Sequence, residues 1–151
     1  IAPEILLIEN GYLIPGGDLA PLPASHLMRF ERGSANRQDL SIADVYEDVS
    51  PAVSPDGNLL AFARKYLDPQ RWTPGRQLWV MELATQVSRQ LTDAPYFNHS
   101  AIGWSPDGKQ LVYLRSNQSD LTELPEIWLI DLEGVNPIQL VKGGFAPVWV
   151  P

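Results

Sequence analysis

Trp104-Ser105-Pro106-Asp107-Gly108 nearly repeats an earlier stretch of the chain, Val53-Ser54-Pro55-Asp56-Gly57. The second stretch follows the first by 51 residues (106 − 55), and Leu91-Thr92 follows Leu40-Ser41 by the same distance. An offset shared over about 40 residues marks an internal repeat, and repeats of this length are typical of solenoids, propellers and arrays.

Composition indicates a folded protein and limits what it can bind. The 151 residues are 44% hydrophobic and 19% charged, which allows a sizeable core and argues against disorder. The net charge of −7 argues against binding to nucleic acid, since such proteins cluster lysine and arginine. Cysteine is absent, which excludes disulfides and thiolate metal sites. The apolar run of residues 5–8 is far too short to span a bilayer.

Fourteen prolines and eleven glycines separate short apolar runs, a pattern typical of an all-β protein. Pro-Asp-Gly predicts a tight turn, because proline presets φ and glycine tolerates the left-handed exit. Each repeat unit is predicted to contain four short antiparallel strands. The predicted strands are 52–54, 59–63, 78–83 and 88–92 in the second unit, and 102–105, 110–115, 127–131 and 138–141 in the third.

The first 44 residues predict a diverged unit. Residues 1–14 suggest a hairpin that turns at Asn10-Gly11, and prolines predict a loop over 15–23. Two strands follow, at 27–31 and about 38–41, and the 51-residue offset places the first of them on residues 78–82. Residues 78–81 and 127–130 are apolar at every position, as expected of sheets that are covered on both faces.

Residues 104–113, 126–131 and 139–140 together resemble the Pro-Asp repeat of TolB-like β-propellers, and residues 53–62, 77–82 and 90–92 are similar. The resemblance covers roughly residues 40–151. It implies blades of four antiparallel strands in a ring of about six blades. The chain would then form about three blades, a half-ring or a fragment of such a propeller. The expected divisions of this single domain are a first blade at 1–44, a second at 45–99, a third at 100–145 and a closing or next-blade strand at 146–151.

Three blades cannot close such a ring, and an open arc exposes two apolar faces. One solution is that the chain is a piece of a longer polypeptide. The other is a homodimer, in which two copies supply six blades around a twofold axis and residues 147–150 pair with the first blade of the partner.

The sequence predicts neither catalysis nor a cofactor or metal. Residues 103–107 match Gly-x-Ser-x-Gly in part, but the serine is followed by Pro106, which has no N–H to serve as an oxyanion donor. Asp56 and Asp107 are expected to bond the backbone of their own turns. The only two histidines, His26 and His99, do not have the spacing of a zinc site.

Two loops predicted at 42–50 and 93–101 link successive blades, and loops of this kind gather at one mouth of a propeller. They supply the best candidate binding surface, against the alternative that these loops are merely solvated or packed locally. The candidate residues are Tyr46, Glu47, Asp48, Tyr96, Phe97, Asn98 and His99.

A third predicted loop, residues 65–76, interleaves basic and aromatic side chains. Such a mixture can bind peptides, sugars or single-stranded nucleic acid, of which nucleic acid fits the acidic chain least well. Trp72 is the candidate residue, and the alternative is that its ring packs on its own blade.

The resemblance implies a non-catalytic bacterial module that binds a protein or other ligand outside the cytoplasm, in the periplasm, at the cell surface or as a secreted protein. Its partner cannot be carried over from the family. The alternative is the gating propeller of a prolyl-oligopeptidase-like or tricorn-like peptidase whose catalytic part lies outside this chain. A small-molecule site in the mouth of the channel is a third hypothesis.

Overall fold

A computed structural model describes residues 4–15, 18–42 and 45–150. The regular structure of these residues consists of eleven strands: β1 (Ile5–Ile14), β2 (Leu22–Glu31), β3 (Arg37–Asp39), β4 (Tyr46–Val53), β5 (Leu59–Tyr66), β6 (Gln77–Glu82), β7 (Ser88–Gln90), β8 (Phe97–Trp104), β9 (Gln110–Asn117), β10 (Glu126–Asp131) and β11 (Ile138–Lys142). Within the residues described, no helix is long and apolar enough to cross a bilayer.

Consecutive strands pair antiparallel and form three separate sheets. Sheet A has the order β1-β2-β3, sheet B the order β4-β5-β6-β7, and sheet C the order β8-β9-β10-β11. The first strand of sheet B, β4, contacts both β2 and β8, so sheet B lies between the other two. This arrangement confirms the predicted all-β architecture of stacked antiparallel sheets, and the described sheets do not close into a ring.

Two apolar cores lie between the sheets. Between A and B, Leu27 and Leu40 meet Leu60, Phe62 and Met81, all of which are buried. Between B and C, the buried residues are Ala61, Leu78, Val80, Leu91, Trp104, Leu111, Tyr113 and Ile130. Alternate residues of β5 therefore belong to different cores, which explains why this strand and β6 are apolar at nearly every position.

The Pro-Asp-Gly stretches form the turns that the sequence predicts. In the β4–β5 turn, Ser54 Oγ donates to Asp56 Oδ1 at 2.6 Å and accepts from the Leu59 amide at 2.8 Å. Gly57 has a φ of 76°, a region that favours glycine. The Ser54 hydrogen bond lowers the pKa of Asp56, as the equivalent Ser105 hydrogen bond does for Asp107 in the β8–β9 turn. The serines and aspartates of both stretches therefore stabilise turns.

The inner strands β4 and β8 carry the same irregularity. Their pairing shifts register between Val49 and Ala52 in β4 and between Ser100 and Gly103 in β8. Within these two bulges Ser50 has a φ of 57° and Ala101 a φ of 48°. The two residues are 51 positions apart, so the repeat extends to the backbone conformation of the bulge.

Two predictions about the beginning of the chain are wrong. No hairpin turns at Asn10-Gly11, because β1 pairs with β2 over its full length and Gly11 lies opposite Ser25. The predicted loop over 15–23 is too long, since β2 begins at Leu22 and includes Pro23. Sheet A also has three strands instead of the expected four.

The predicted loops at 42–50 and 93–101 are wrong in their second halves. Strand β4 begins at Tyr46 and strand β8 at Phe97, so each inner strand starts several residues earlier than expected. Asp48 and Pro51 have low strand propensity, so strand propensity does not predict the first halves of these strands. Strand β5 likewise extends to Tyr66, into the predicted loop 65–76. The predicted closing strand at 147–150 is not paired in a sheet.

Candidate functional site

Three stretches that the sequence marks as candidates meet at one end of sheets B and C. Tyr46 pairs with Tyr66, which places the beginning of β4 beside the loop of residues 67–76. That loop is joined to the connection before β8, because the Gly75 amide donates to the Pro95 carbonyl at 2.9 Å. We call this end of the sheets the mouth surface, comprising residues 45–48, 65–76 and 94–99.

The Glu47 carboxylate lies between two cations at the mouth surface. Its Oε2 atom is 3.4 Å from Lys65 Nζ and 2.9 Å from Arg76 Nη2. Neither contact is aligned as a hydrogen bond, so these are ion pairs held by charge alone. Arg76 also donates to Asn98 Oδ1 at 3.1 Å. One carboxylate faces two cations, which leaves this cluster positively charged in an acidic chain.

Asp48 forms a buried ion pair with Arg64 on the neighbouring strand. The two Arg64 nitrogens Nε and Nη2 each lie 2.7 Å from an Asp48 oxygen, and the Asp48 side chain has no exposed surface. The guanidinium also lies over aromatic rings, 4.1 Å from the centre of Tyr46 and 5.2 Å from that of Trp79. Both charges are thus fully partnered inside the protein, and Asp48 is unavailable to a ligand.

The same stacked arginine recurs 51 residues later. Arg115 lies 3.9 Å from the centre of the Phe97 ring and 4.4 Å from that of Trp128, and it pairs with Glu126 at 3.1 Å. Sequence reasoning missed this feature, although the repeat offset relates Arg64 to Arg115 and could have revealed it.

His99 occupies the position in sheet C that Asp48 occupies in sheet B. Its ring is buried, and Nδ1 lies 2.6 Å from the Arg76 carbonyl, to which it donates. Burial lowers the pKa of His99 to about 4, and the positive charge of Arg115 acts in the same direction. The imidazole is therefore neutral near pH 7 and ties β8 to the residue that precedes β6.

Trp72 and Tyr96 are the exposed aromatic side chains of the mouth surface. Trp72 is 53% exposed and Tyr96 58% exposed. Trp72 forms a bridge to Tyr66, and Lys65 Nζ lies 5.8 Å from the centre of its indole ring. The backbone of Trp72 is therefore tied to β5, while about half of the residue faces solvent.

The candidate residues thus differ in what they contact and in how far they are exposed. Asp48 and His99 are buried supports, and Glu47 and Asn98 hold Arg76 in place. Tyr46 stacks on Arg64, while Trp72 and Tyr96 face solvent. Over residues 4–15, 18–42 and 45–150, no three His, Asp or Glu side chains are grouped so that they could hold a metal ion.

Comparisons with solved structures place this fold among β-propellers. The chain is similar to a TolB from Agrobacterium tumefaciens (TM-score 0.64, 17% identity, 78% of this chain and 41% of that one). It is also similar to TolB from Acinetobacter baumannii (TM-score 0.59, 20% identity, 78% and 26%) and to an acylaminoacyl peptidase from Pyrococcus horikoshii (TM-score 0.63, 17% identity, 92% and 25%). No family model and no curated protein matches the sequence.

The three sheets therefore form part of a TolB-like β-propeller fold. The chain spans less than half the length of each of these three proteins. Because the identities are 20% or lower, the likeness concerns the fold alone, and it includes both TolB proteins and a peptidase.

Proposed function

We propose that this chain is a non-catalytic propeller module that binds a protein partner through the mouth surface. One observation carries the proposal: two aromatic rings that are more than half exposed, Trp72 and Tyr96, adjoin a cluster with excess positive charge. Tryptophan, tyrosine and arginine are the residues that most often dominate binding energy at protein interfaces. The chemistry favours a peptide segment that carries acidic and apolar side chains.

The proposal includes three further points. The module acts outside the cytoplasm of a bacterium, in line with the resemblance to TolB. Its blades divide at about residues 44 and 145, as the repeat predicts, and just before β8, which begins at Phe97 and belongs to sheet C. Finally, the chain associates with a second copy of itself, since apolar side chains such as Leu6 in sheet A and Ile138 in sheet C are exposed on the outer sheets.

A displayed library of random short peptides, selected on the immobilised chain, tests the binding site. We expect selected peptides to be acidic and apolar, and to lose about tenfold or more in affinity for Trp72→Ala and Tyr96→Ala. Val87→Ala is the matched control, because Val87 is 67% exposed and lies in the turn between β6 and β7, at the other end of sheet B. Peptides that bind all three variants equally, or a selection that yields none, would contradict the proposal.

A gating propeller of a peptidase is the second candidate. It is favoured by the acylaminoacyl peptidase comparison, which covers 92% of the chain against 78% for the TolB proteins. In this case the catalytic groups lie on other sequence, and a hydrolase domain encoded in the same polypeptide would support it. A small-molecule site at the mouth is a further alternative, and it predicts a rise in melting temperature with the ligand.

A further inference from the structure

Each sheet presents a forward face to the next sheet along the chain and a rear face to the preceding one. At the A–B contact, Leu27 on the forward face of sheet A meets Phe62 and Met81 on the rear face of sheet B. At the B–C contact, Leu78 on the forward face of B meets Tyr113 and Ile130 on the rear face of C. Leu27 and Leu78 are 51 residues apart, so both contacts are built from equivalent positions.

The forward face of sheet C carries the same kind of apolar side chains as the forward faces of sheets A and B, but no described sheet packs against it. Cross-strand pairing aligns Leu114, Ile127 and Val141 in one row and Val112, Leu129 and Ile138 in the next. Ile127 and Leu129 are the equivalents of Leu78 and Val80, which are buried at the B–C contact. Val112 and Ile127 are buried, and Gly144 of the same chain lies against Ile127 and Val141. Ile138, by contrast, is 54% exposed and Val141 47% exposed. The part of this face on β11 is therefore apolar and left for a rear face to cover.

The rear face of sheet A is the complementary surface. Leu6 lies opposite Phe30 and Ile8 opposite Met28, just as Leu60 lies opposite Met81 and Phe62 opposite Trp79 in sheet B. Leu6, Ile8, Met28 and Phe30 are thus the equivalents of a rear face that is buried in sheet B. Leu6 is 61% exposed.

Sheet A also lacks the strand that corresponds to β4 and β8. By register, β1, β2 and β3 correspond to the last three strands of sheet B, so the free edge of β1 is the place of the inner strand. Over residues 5–9 no described strand pairs with this edge of β1, and such an edge is a template for pairing with a further strand.

Residues 145–150 are not paired in a sheet, but they share one backbone feature with the inner strands β4 and β8. Ala146 has a φ of 47°, close to the values of the bulge residues Ser50 and Ala101. Each of the three lies three residues before an equivalent position of the repeat, which is Val53, Trp104 or Trp149. The Trp149 side chain lies against Gly103, as its equivalent Trp104 lies against Ala52. Trp104 Nε1 donates to the Ala52 carbonyl at 2.8 Å, whereas Trp149 Nε1 is buried without a partner.

We propose that two copies of this chain bind head to tail. The forward face of sheet C packs on the rear face of sheet A of the second copy, and residues 145–150 pair with the free edge of its β1. The twofold partner makes the same contact in return, which closes the pair. This geometry rests on the self-association proposed above and specifies its surfaces. It buries apolar side chains that are exposed in one chain and completes the inner strand of sheet A.

Light scattering on the chromatographed chain tests the association. We expect twice the mass of one chain, with dissociation on dilution. Leu6→Lys on the rear face and Ile138→Lys on the forward face should each weaken association about tenfold or more, because a charge would be buried. Leu121→Lys, at an exposed position outside both faces, is the control and should leave the mass unchanged. Circular dichroism checks that each variant keeps its strands.

Cysteine pairing tests the geometry, and the absence of native cysteine makes it selective. In sheet C the Ser105 amide donates to the Gln110 carbonyl. In the repeat, Val150 is equivalent to Ser105 and Ile5 is equivalent to Gln110, so Val150 should lie opposite Ile5 of the second copy. Mixing separate Ile5→Cys and Val150→Cys chains should give about tenfold more mixed disulfide than mixing Ile5→Cys with Val135→Cys, an exposed control position.

The two experiments separate the failures. A single-chain mass at every concentration would overturn self-association and the head-to-tail contact together. A dimer whose Ile5→Cys and Val150→Cys chains do not cross-link above the control would leave self-association standing and overturn this geometry. Neither result bears on the peptide selection at Trp72 and Tyr96.

Discussion

Arg64 and Arg115 show how one repeat position can be satisfied in two ways. Arg64 pairs with Asp48, whereas in the next sheet His99 stands in the place of Asp48 and Arg115 turns to Glu126. A second buried carboxylate is therefore unnecessary, and the neutral imidazole avoids repulsion from Arg115. At the scale of the residue, the repeat conserves the stacked cation and varies the group that neutralises it.

The buried Asp48–Arg64 pair makes a stability prediction. Asp48→Asn leaves the Arg64 guanidinium in the interior with its charge uncompensated, and we expect a loss of about 3 kcal/mol in the free energy of unfolding, measured with urea. Asp68→Asn is the control, since Asp68 pairs with a half-exposed Arg71 and should change stability little. Equal effects of the two substitutions would show that burial does not set the cost.

His99 predicts a pH dependence of stability. Its pKa is about 4 in the folded protein and 6.5 when exposed, so between these values the unfolded chain binds more protons. The stability that depends on a neutral His99 is fully present above pH 6.5. It is lost as the pH falls towards 4, which lowers the free energy of unfolding by about 3 kcal/mol in total. His99→Gln removes the titration, and urea unfolding over this range should give a flatter profile than the parent. Parallel profiles would contradict the assignment.

At the scale of the element, sequence patterns predicted the turns and the middle strands of sheets B and C well. Pro-Asp-Gly acts through local φ preferences, and continuous apolar runs such as 78–81 report burial on both faces. The inner strands were missed in part because β4 buries charged groups, Asp48 among them, whose partner Arg64 is distant in sequence. Asn10-Gly11 failed as a turn because long-range pairing with β2 overrides its local preference.

The loop of residues 67–76 depends on one small residue for its position. A Cβ atom on Gly75 would lie 2.0 Å from the Phe97 carbonyl oxygen, so Gly75→Ala must push the loop away from β8. We expect a loss of about 1–3 kcal/mol in unfolding free energy and faster amide exchange over the loop.

Gly11→Ala is the control for this substitution, since its Cβ would meet only the Ala24 carbonyl oxygen at an ordinary 3.9 Å. If Gly75→Ala were as stable as Gly11→Ala and exchanged as slowly over residues 67–76, the close approach of loop and strand would be wrong.

At the scale of the whole molecule, sheet B differs from its neighbours because both of its faces are buried. In the dissociated Leu6→Lys chain, amides that open only on global unfolding should concentrate in β5 and β6, and those of β1 and β11 should exchange faster. Hydrogen exchange followed by mass spectrometry measures this order. Equal protection of β1 and β5 would contradict a stack in which only the middle sheet is enclosed.

The candidate site could be predicted from the sequence only in outline. The repeat located the end of the sheets to which residues 46–48 and 96–99 belong, because equivalent positions of successive units lie at the same end. It could not tell buried supports from exposed groups, since Asp48 and Trp72 differ in exposure through contacts with other strands. Those contacts depend on tertiary packing, which no local pattern reports.

The equivalence of forward and rear faces also bears on how such a chain can grow. A tandem duplication of the segment that encodes sheet B would insert a unit whose Phe62 and Met81 meet the existing Leu78, while its own Leu78 meets Tyr113. Every new junction would reuse an existing one, so the polypeptide can lengthen by whole units without inventing any new surface. Gain or loss of modules is then the evolutionary change that this architecture tolerates best.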